Sequence, residues 1–357
     1  MTVSVPATMS AVVTNGFGGP EVLRVVKRPV PAPGDGEVLV RVFAAGVNRA
    51  DVMQRQGVYD PPDGSPILGL EVSGEVCATG PGVSSPAVGS RVVALVSSGG
   101  YAEYVAVPIG QVAPLPDGID PLDAAGVMEV AATVWANVFM VAGLRPGEAI
   151  LVHGGASGIG TMAVQLARAT GAHVATTVGN DAKSELVRQL GAEIVINYRA
   201  SDFVEVLRRH GFAPDVVLDV VGGRYLRPNV DVLAVGGRLV VIGLQGGSIG
   251  EMPIGDLLYK QASVHATSLR ARTVAEKSEI VAATRAGVWP LMADGIVRPV
   301  IRGRWRLSEV AAAHGAMEDP AHFGKELLVV AVPQQPPPSG GGPSGCARLG
   351  TGPRTPT

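Results

Sequence analysis

Gly155, Gly158 and Gly160 stand in the stretch LVHGGASGIG, behind the apolar run EAILV and ahead of the helix-like TMAVQLARAT. A glycine-rich turn between a strand and a helix presents backbone N–H groups and the positive helix end to a phosphate. Ser157 and Ile159 complete the pattern G-A-S-G-I-G. Its glycines permit the turn, the close approach of a pyrophosphate and tight packing of helix on strand. An ordinary tight turn would use the same residues, but the strand–turn–helix–strand context favours a dinucleotide. The next strand, VATTVGND, reports on the ribose. Sites selecting NAD place an acidic residue there for the 2′-hydroxyl. Here the strand ends on Gly179 and Asn180, with Lys183 beyond, a set that suits a 2′-phosphate and so NADPH. Asp181 is expected to point outward as a helix-capping residue. Lys183 has an alternative reading as a solvated helix lysine.

The elements that must hold this loop follow two rhythms. From Met9 to about residue 125 the pattern is short and β-like, with EVLVRVFAAGV, SGEVCATG and GSRVVALV bounded by Gly/Pro turns. This predicts a small barrel or open β domain. From residue 126 to 266 apolar β-branched runs (AILV, EIVINY, PDVVLDVVGG, GRLVVIGL) alternate with helix-like segments. That alternation predicts an α/β unit, a doubly wound parallel sheet with helices on both faces. Residues 267–332 add one more helix pattern and two β-like stretches that return to the first domain. A leader, 1–8, and a Pro/Gly/Ser-rich tail, 333–357, are expected to be disordered.

Composition excludes several classes. Of 357 residues 46% are hydrophobic, and 29 basic residues balance 31 acidic ones without a dense basic cluster, so no nucleic-acid partner is expected. Two cysteines, Cys77 and Cys346, are too few for a disulfide framework, which fits a reducing, cytoplasmic setting. The N-terminus lacks the basic and apolar regions of a secretory signal. The longest apolar stretch, Val130 to Leu144, is shorter than the ~20 residues that cross a bilayer. It reads as a buried helix, and no membrane partner is expected.

Taken together, AGVNRADVMQRQGVYDPPDGSPILGLEVSGEV, LVHGGASGIG, LGAEIVINY and FGKELLVV resemble the zeta-crystallin-like quinone oxidoreductases of the medium-chain dehydrogenase/reductase superfamily. NRADVMQRQGVYDPP is similar in particular to their p53-inducible branch. The resemblance runs from about Met9 to Val332. It implies a Rossmann domain with a GroES-like β-rich catalytic domain, NADPH as hydride donor, and a homodimer. Zinc dehydrogenases of the superfamily carry a cysteine and a Gly-His-Glu at the metal. Here Asn48 stands in place of the cysteine and Leu70 in place of the histidine, so no metal is expected. An acceptor that delocalises the charge left by hydride has less need of a Lewis acid. The substrate implied is a quinone. The alternatives are the double bond of an enal or enone (a conjugated carbonyl), or a weakly catalytic NADPH-binding protein.

The resemblance also nominates side chains. Asn48 and Asp51 lie in the loop that approaches the nicotinamide, Asn48 to bind its carboxamide or the substrate oxygen. Read alone, both are turn residues bonding their own backbone. Tyr59 either closes over the nicotinamide and donates a proton or packs a lid. Ser157 reaches a phosphate or the substrate, a role compatible with a helix cap. Thr133 matches a threonine below the nicotinamide, and Tyr198 flanks the adenine-ribose phosphate. Gly243, Leu244, Thr267, Ser268 and Leu269 offer backbone near the nicotinamide. Gly324 and Lys325 match a late Gly-Lys pair near the cofactor. His153 reads as structural, since it and Ser157 lack the spacing and acidic partner of a hydrolase.

Overall fold

The structure is a computed structural model that describes residues 5–333. Most of the expected leader and tail therefore lies outside the described residues. Regular structure begins at Thr8, which is paired to Pro29 in an antiparallel hairpin of strands Thr8–Thr14 and Leu23–Pro29.

Two large sheets carry the molecule. The first is GroES-like and has seven strands. Glu37–Val47 lies near its middle, flanked by Glu71–Thr79 on one side and Lys325–Val329 on the other. Arg91–Leu95 and Val112–Pro114 extend one edge, Ile301–Arg306 forms the other, and Tyr104–Pro108 also pairs with Glu37–Val47. The run EVLVRVFAAGV is buried almost throughout because the sheet is covered on both faces there. Val38, Val40 and Val42 pack with Leu68, Tyr101 and Leu328 in one core.

The second sheet is wholly parallel. Its order is Ile194–Asn197, His173–Val178, Ala149–Val152, Val216–Asp219, Arg238–Val241, Ser263–Ala266. Numbered along the chain this is 3-2-1-4-5-6, the Rossmann order, which reverses direction at Ala149–Val152. Both faces are buried, so the strands read as continuous Val/Ile/Leu runs instead of alternating ones. Helix Gly158–Ala169 follows the first strand and buries Met162, Val164 and Leu166 against it. Each such side chain contributes ~1.5–3 kcal/mol of transfer free energy. Gly171 ends that helix at φ +81°, the left-handed turn that lets the chain enter the next strand.

The apolar helix is longer than the sequence implied. A 3-10 turn at Asp123–Gly126 runs into helix Met128–Val134 and a widened π turn at Trp135–Val141. Among the described residues this is one helical run, 19 residues with mean hydropathy 1.5, long and apolar enough to cross a membrane. Length therefore does not decide its place. Burial does: 72% of it packs inside the protein, in the core beside Ile150 and Met162.

Candidate active site between the two sheets

The glycine turn sits at the switch point of the parallel sheet, against the return strand of the other sheet. A side chain on Gly155 would strike Thr176, and one on Gly160 would strike the carbonyl of Gly154. Both glycines are thus required by packing. Ser157 caps the helix, its Oγ accepting from the Gly160 N–H at 3.0 Å. The Gly324 N–H donates to the Ala156 carbonyl at 2.8 Å, and Ser157 and Gly324 form a parallel bridge. Gly158 departs from expectation. A Cβ there would lie 2.6 Å from the Lys325 Cδ and 3.2 Å from the Gly324 oxygen, so its open face meets protein, where the sequence reading put pyrophosphate. Ile159 is partly buried behind it.

The ribose corner is also rearranged in detail. Asn180, not Asp181, is the cap of helix Asp181–Gln189, its Oδ1 accepting from the Lys183 N–H at 2.9 Å. Asp181 instead accepts from Asn197 at 3.2 Å. The half-buried Lys183 donates its Nζ to the Pro320 carbonyl at 2.8 Å. Burial holds its ammonium below the usual lysine range, and the nearby Arg199 and Arg302 lower it further. Two further cations thus act on this corner, of which Arg302 is paired with Asp319 and Glu326. Arg199, directly after Tyr198 in NYRASD, was the missed signal. The Tyr198 hydroxyl hangs over Gly179, 2.8 Å from where a Cβ would stand.

Nearer the first sheet, Lys325 is 4% exposed and turned inward. Its ammonium donates to Glu71 Oε1 at 2.6 Å, Asn48 Oδ1 at 2.5 Å and the Val47 carbonyl at 3.1 Å. All three donors are used, so its expected reach to a cofactor is replaced by a tie between chain ends. Asn48 gives its own amide to Glu71 Oε1 at 3.1 Å and to the Gly46 carbonyl at 3.2 Å. Glu71, wholly buried and overlooked in the sequence, also accepts the backbone N–H of Glu129 at 2.9 Å. Its signal was the unusual position of a carboxylate inside the apolar LGLEVSG.

Asp51 was expected at the chemistry, but it has no exposed surface. Its oxygens accept from the Asn48 N–H at 2.9 Å, the Gly69 N–H at 3.0 Å and the Tyr101 hydroxyl at 3.0 Å. Burial pushes its carboxyl up to about 6 against these hydrogen bonds. Asp51 positions the loop, while Arg49 points to solvent.

The remaining candidates gather along the cleft. Thr133 Oγ1 donates to Glu129 at 3.2 Å, and its carbonyl accepts from the Asn137 amide at 2.7 Å. Thr267 donates its hydroxyl to that same Asn137. Burial, with help from the Glu71 charge and against the pull of Lys325, pushes the Glu129 carboxyl up to about 7. Tyr59 joins the two halves, its hydroxyl 2.9 Å from Ser268 Oγ and the Arg270 guanidinium 5.2 Å above its ring. Leu269 is buried beside them. Gly243 lets the chain pass Val220, whose carbonyl oxygen would lie 2.6 Å from a Cβ, and Leu244 is left exposed. His153 is structural. Its ring nitrogens meet Thr177 Oγ1 at 3.1 Å and Asn229 Oδ1 at 2.7 Å, and burial lowers it to about 4.

Comparison with known proteins gives this geometry a family. Residues 34–117 match the alcohol dehydrogenase GroES-like domain and residues 158–283 the zinc-binding dehydrogenase family. The quinone oxidoreductase of Rattus norvegicus is 32% identical over 331 residues, covering 90% of this chain and 98% of the relative. The chain belongs to the medium-chain dehydrogenase/reductase superfamily, with quinone oxidoreductases among its relatives. A solved Escherichia coli quinone oxidoreductase complexed with NADPH is 30% identical with a TM-score of 0.82, covering 90% of this chain and all of that one. A structure described as an NAD-dependent alcohol dehydrogenase is 33% identical with a TM-score of 0.80 over the same shares. A member of this family is an oxidoreductase that binds a nicotinamide nucleotide and acts on a small molecule. The turn at the switch point of the parallel sheet fits such a nucleotide.

Proposed function

We propose that this chain is a zinc-independent, NADPH-dependent reductase of quinones. The observation that carries the reading is the Lys325 ammonium seated between Asn48 and Glu71. Asn48 and Leu70 stand in place of a thiolate and an imidazole, and a fixed cation beside them repels a dication. An acceptor reduced here must carry its developing charge without a Lewis acid, which a quinone does by delocalisation.

A reduced nicotinamide, when bound, supplies the hydride. The residues of this chain do the rest. Ile159, at the helix start, holds the pyrophosphate end by backbone, while Gly158 is closed by Lys325 and the Gly160 N–H is taken by the Ser157 cap. Lys183, Arg199 and Tyr198 receive the 2′-phosphate, the absence of a side chain on Gly179 leaving room for the Tyr198 hydroxyl. Thr133 and the backbone of Gly243, Leu244 and Thr267 to Leu269 orient the nicotinamide. Tyr59 closes the cleft over a flat acceptor and excludes water. Asn48 fixes the loop that faces it.

The test is NADPH oxidation across a panel of quinones, enals and enones, before and after dialysis against a strong chelator. Fast, chelator-insensitive turnover of ortho- or para-quinones beside slow enones is expected. The reverse preference would make the enzyme a double-bond reductase, and no turnover with any acceptor would make it a nucleotide-binding protein.

We further propose a homodimer formed at Ser263–Ala266, the edge strand of the parallel sheet. An edge strand presents unpaired backbone groups. Beside it Ile254, Leu258 and Tyr259 of helix Ile254–Lys260 are 72%, 71% and 80% exposed. Sedimentation should give twice the chain mass, and Leu258→Lys should halve it.

A further inference from the structure

Two cations are buried beside Tyr59 with neutral partners only. Arg270 is 6% exposed and Lys277 3%. The Arg270 guanidinium donates its Nε to the Ser97 carbonyl at 2.8 Å and its Nη2 to Gln54 Oε1 at 2.5 Å. Its Nη1 is buried with no partner among the described residues. The Lys277 ammonium, on helix Val274–Ala293, donates to the Ser97 hydroxyl at 2.6 Å. Both cations therefore meet at one residue, Ser97, by its backbone and by its side chain.

A buried charge is costly unless an opposite charge accompanies it. The carboxylates around these two are committed elsewhere. Asp63 is exposed and accepts from the Ser98 hydroxyl and the Ser65 N–H. Glu276 is exposed and accepts from the Thr273 N–H and hydroxyl. Asp51 is saturated by Asn48, Gly69 and Tyr101. The Arg270 guanidinium lies 5.2 Å from the centre of the Tyr59 ring, whose hydroxyl meets Ser268, two residues before Arg270.

We propose that Arg270 and Lys277 form an anion subsite of the acceptor pocket, and that the acceptor is a quinone carrying a carboxylate or sulfonate substituent. This rests on the reading given under Proposed function, which lays Tyr59 over the acceptor. One oxygen of the substituent accepts from the free Nη1 and another from the Lys277 ammonium. The segment between Gly57 and Gly64 carries Tyr59 and is largely exposed, so it can lift from the guanidinium to admit the group. Two permanent cations suit a permanent anion. The oxyanion that exists only between hydride transfer and protonation would leave them uncompensated in the resting enzyme.

Steady-state NADPH oxidation with naphthoquinone and with its sulfonate tests the subsite. The wild type should favour the sulfonate by about tenfold in kcat/KM. Arg270→Gln and Lys277→Gln should each remove most of that preference, and Arg270→Lys should keep part of it. Equal losses on the two quinones would make these cations stabilisers of the reaction's own oxyanion and overturn the proposal. A loss confined to NADPH affinity, read by fluorescence titration, would assign them to a phosphate of the cofactor and overturn it as well. A wild type without the preference overturns it whether or not the variants fold. Calorimetric titration with naphthoate and the neutral naphthamide needs no turnover, and the carboxylate should bind about tenfold tighter in the wild type alone. Were the wild type inactive with every quinone, the reductase reading would fall, while naphthoate binding would still decide whether Arg270 and Lys277 hold an anion.

Discussion

Lys325 and Glu71 form a 2.6 Å ion pair in which the two side chains are 4% and 0% exposed. It joins the last strand of the described chain to the fourth strand along it and closes the GroES-like sheet beneath the cleft. Removing one partner of a buried pair costs far more than the pair contributes, because an uncompensated charge remains. Lys325→Met should therefore destabilise the protein by ~3–5 kcal/mol. The double variant Lys325→Met/Glu71→Gln should lose less than the sum of the single changes. Urea midpoints of all four proteins check both statements, and strict additivity would count against a direct pairing.

Gly158 is expected to be sensitive for a reason that differs from the usual one for a phosphate loop. Valine there presses on the Lys325 stem at 2.6 Å and on the Gly324 carbonyl. Overpacking of this kind costs ~1–3 kcal/mol, and the displaced loop should lose NADPH by about tenfold or more. Ser157→Ala removes only a cap, worth ~1 kcal/mol. Thermal melting and nucleotide titration of both variants would show whether stability and binding fall together. Wild-type binding in a normally folded Gly158→Val would move the dinucleotide site elsewhere.

Lys183 and Arg199 should set the preference for a 2′-phosphate. Lys183→Ala should weaken NADPH by about tenfold, or ~1.4 kcal/mol, and leave NADH nearly unchanged. Arg199→Ala should act in the same direction. Fluorescence titration with each nucleotide measures this. Equal losses for the two nucleotides would assign these cations to the fold alone.

The protein should lose stability in mild acid through His153. Burial depresses its folded value to about 4 from 6.5, so between these limits the unfolded chain binds the extra proton. Its contribution is complete above pH 6.5 and declines as pH falls, by ~3 kcal/mol at pH 4. Asp51, raised to about 6, has the opposite sign: its folded form binds the extra proton, and stability is lost as pH rises through that value. Comparing urea midpoints of wild type and His153→Gln from pH 4 to 7 isolates the histidine. An unchanged slope in the variant would mean that His153 is not the group responsible.

Most of the architecture was legible because period and punctuation agreed. The β-branched runs separated by helical segments specified a parallel sheet, and GASGIG specified the turn at its switch point. The side chains of the site were less legible. Asn48 and Asp51 were named from their loop, yet only packing reveals that Asp51 is sealed and that Asn48 faces Lys325. Glu71 and Glu129 sit inside apolar stretches, and sequence spacing carries no sign that strands 254 residues apart bring Lys325 to one of them. Between Asn180 and Asp181 the sequence does not single out the cap, because either residue type serves at that position. The helix Asp123–Val141 reads shorter in the sequence than it is, since Asp123 and Glu129 interrupt its apolar run without interrupting its backbone.

The return of Lys325–Val329 to the side of Glu37–Val47 has a consequence on the ribosome. The Lys325 ammonium meets the Val47 carbonyl across 278 residues. At ~5–20 residues per second that strand waits roughly 15–55 s for its neighbour. The parallel sheet, whose strands all fall between Ala149 and Ala266, is by then fully synthesised. The parallel sheet can therefore form before the last strand of the GroES-like sheet has been made. A nascent chain stalled before residue 325 would display a bare apolar strand edge and a carboxylate awaiting its cation, the form of this protein in greatest need of a chaperone.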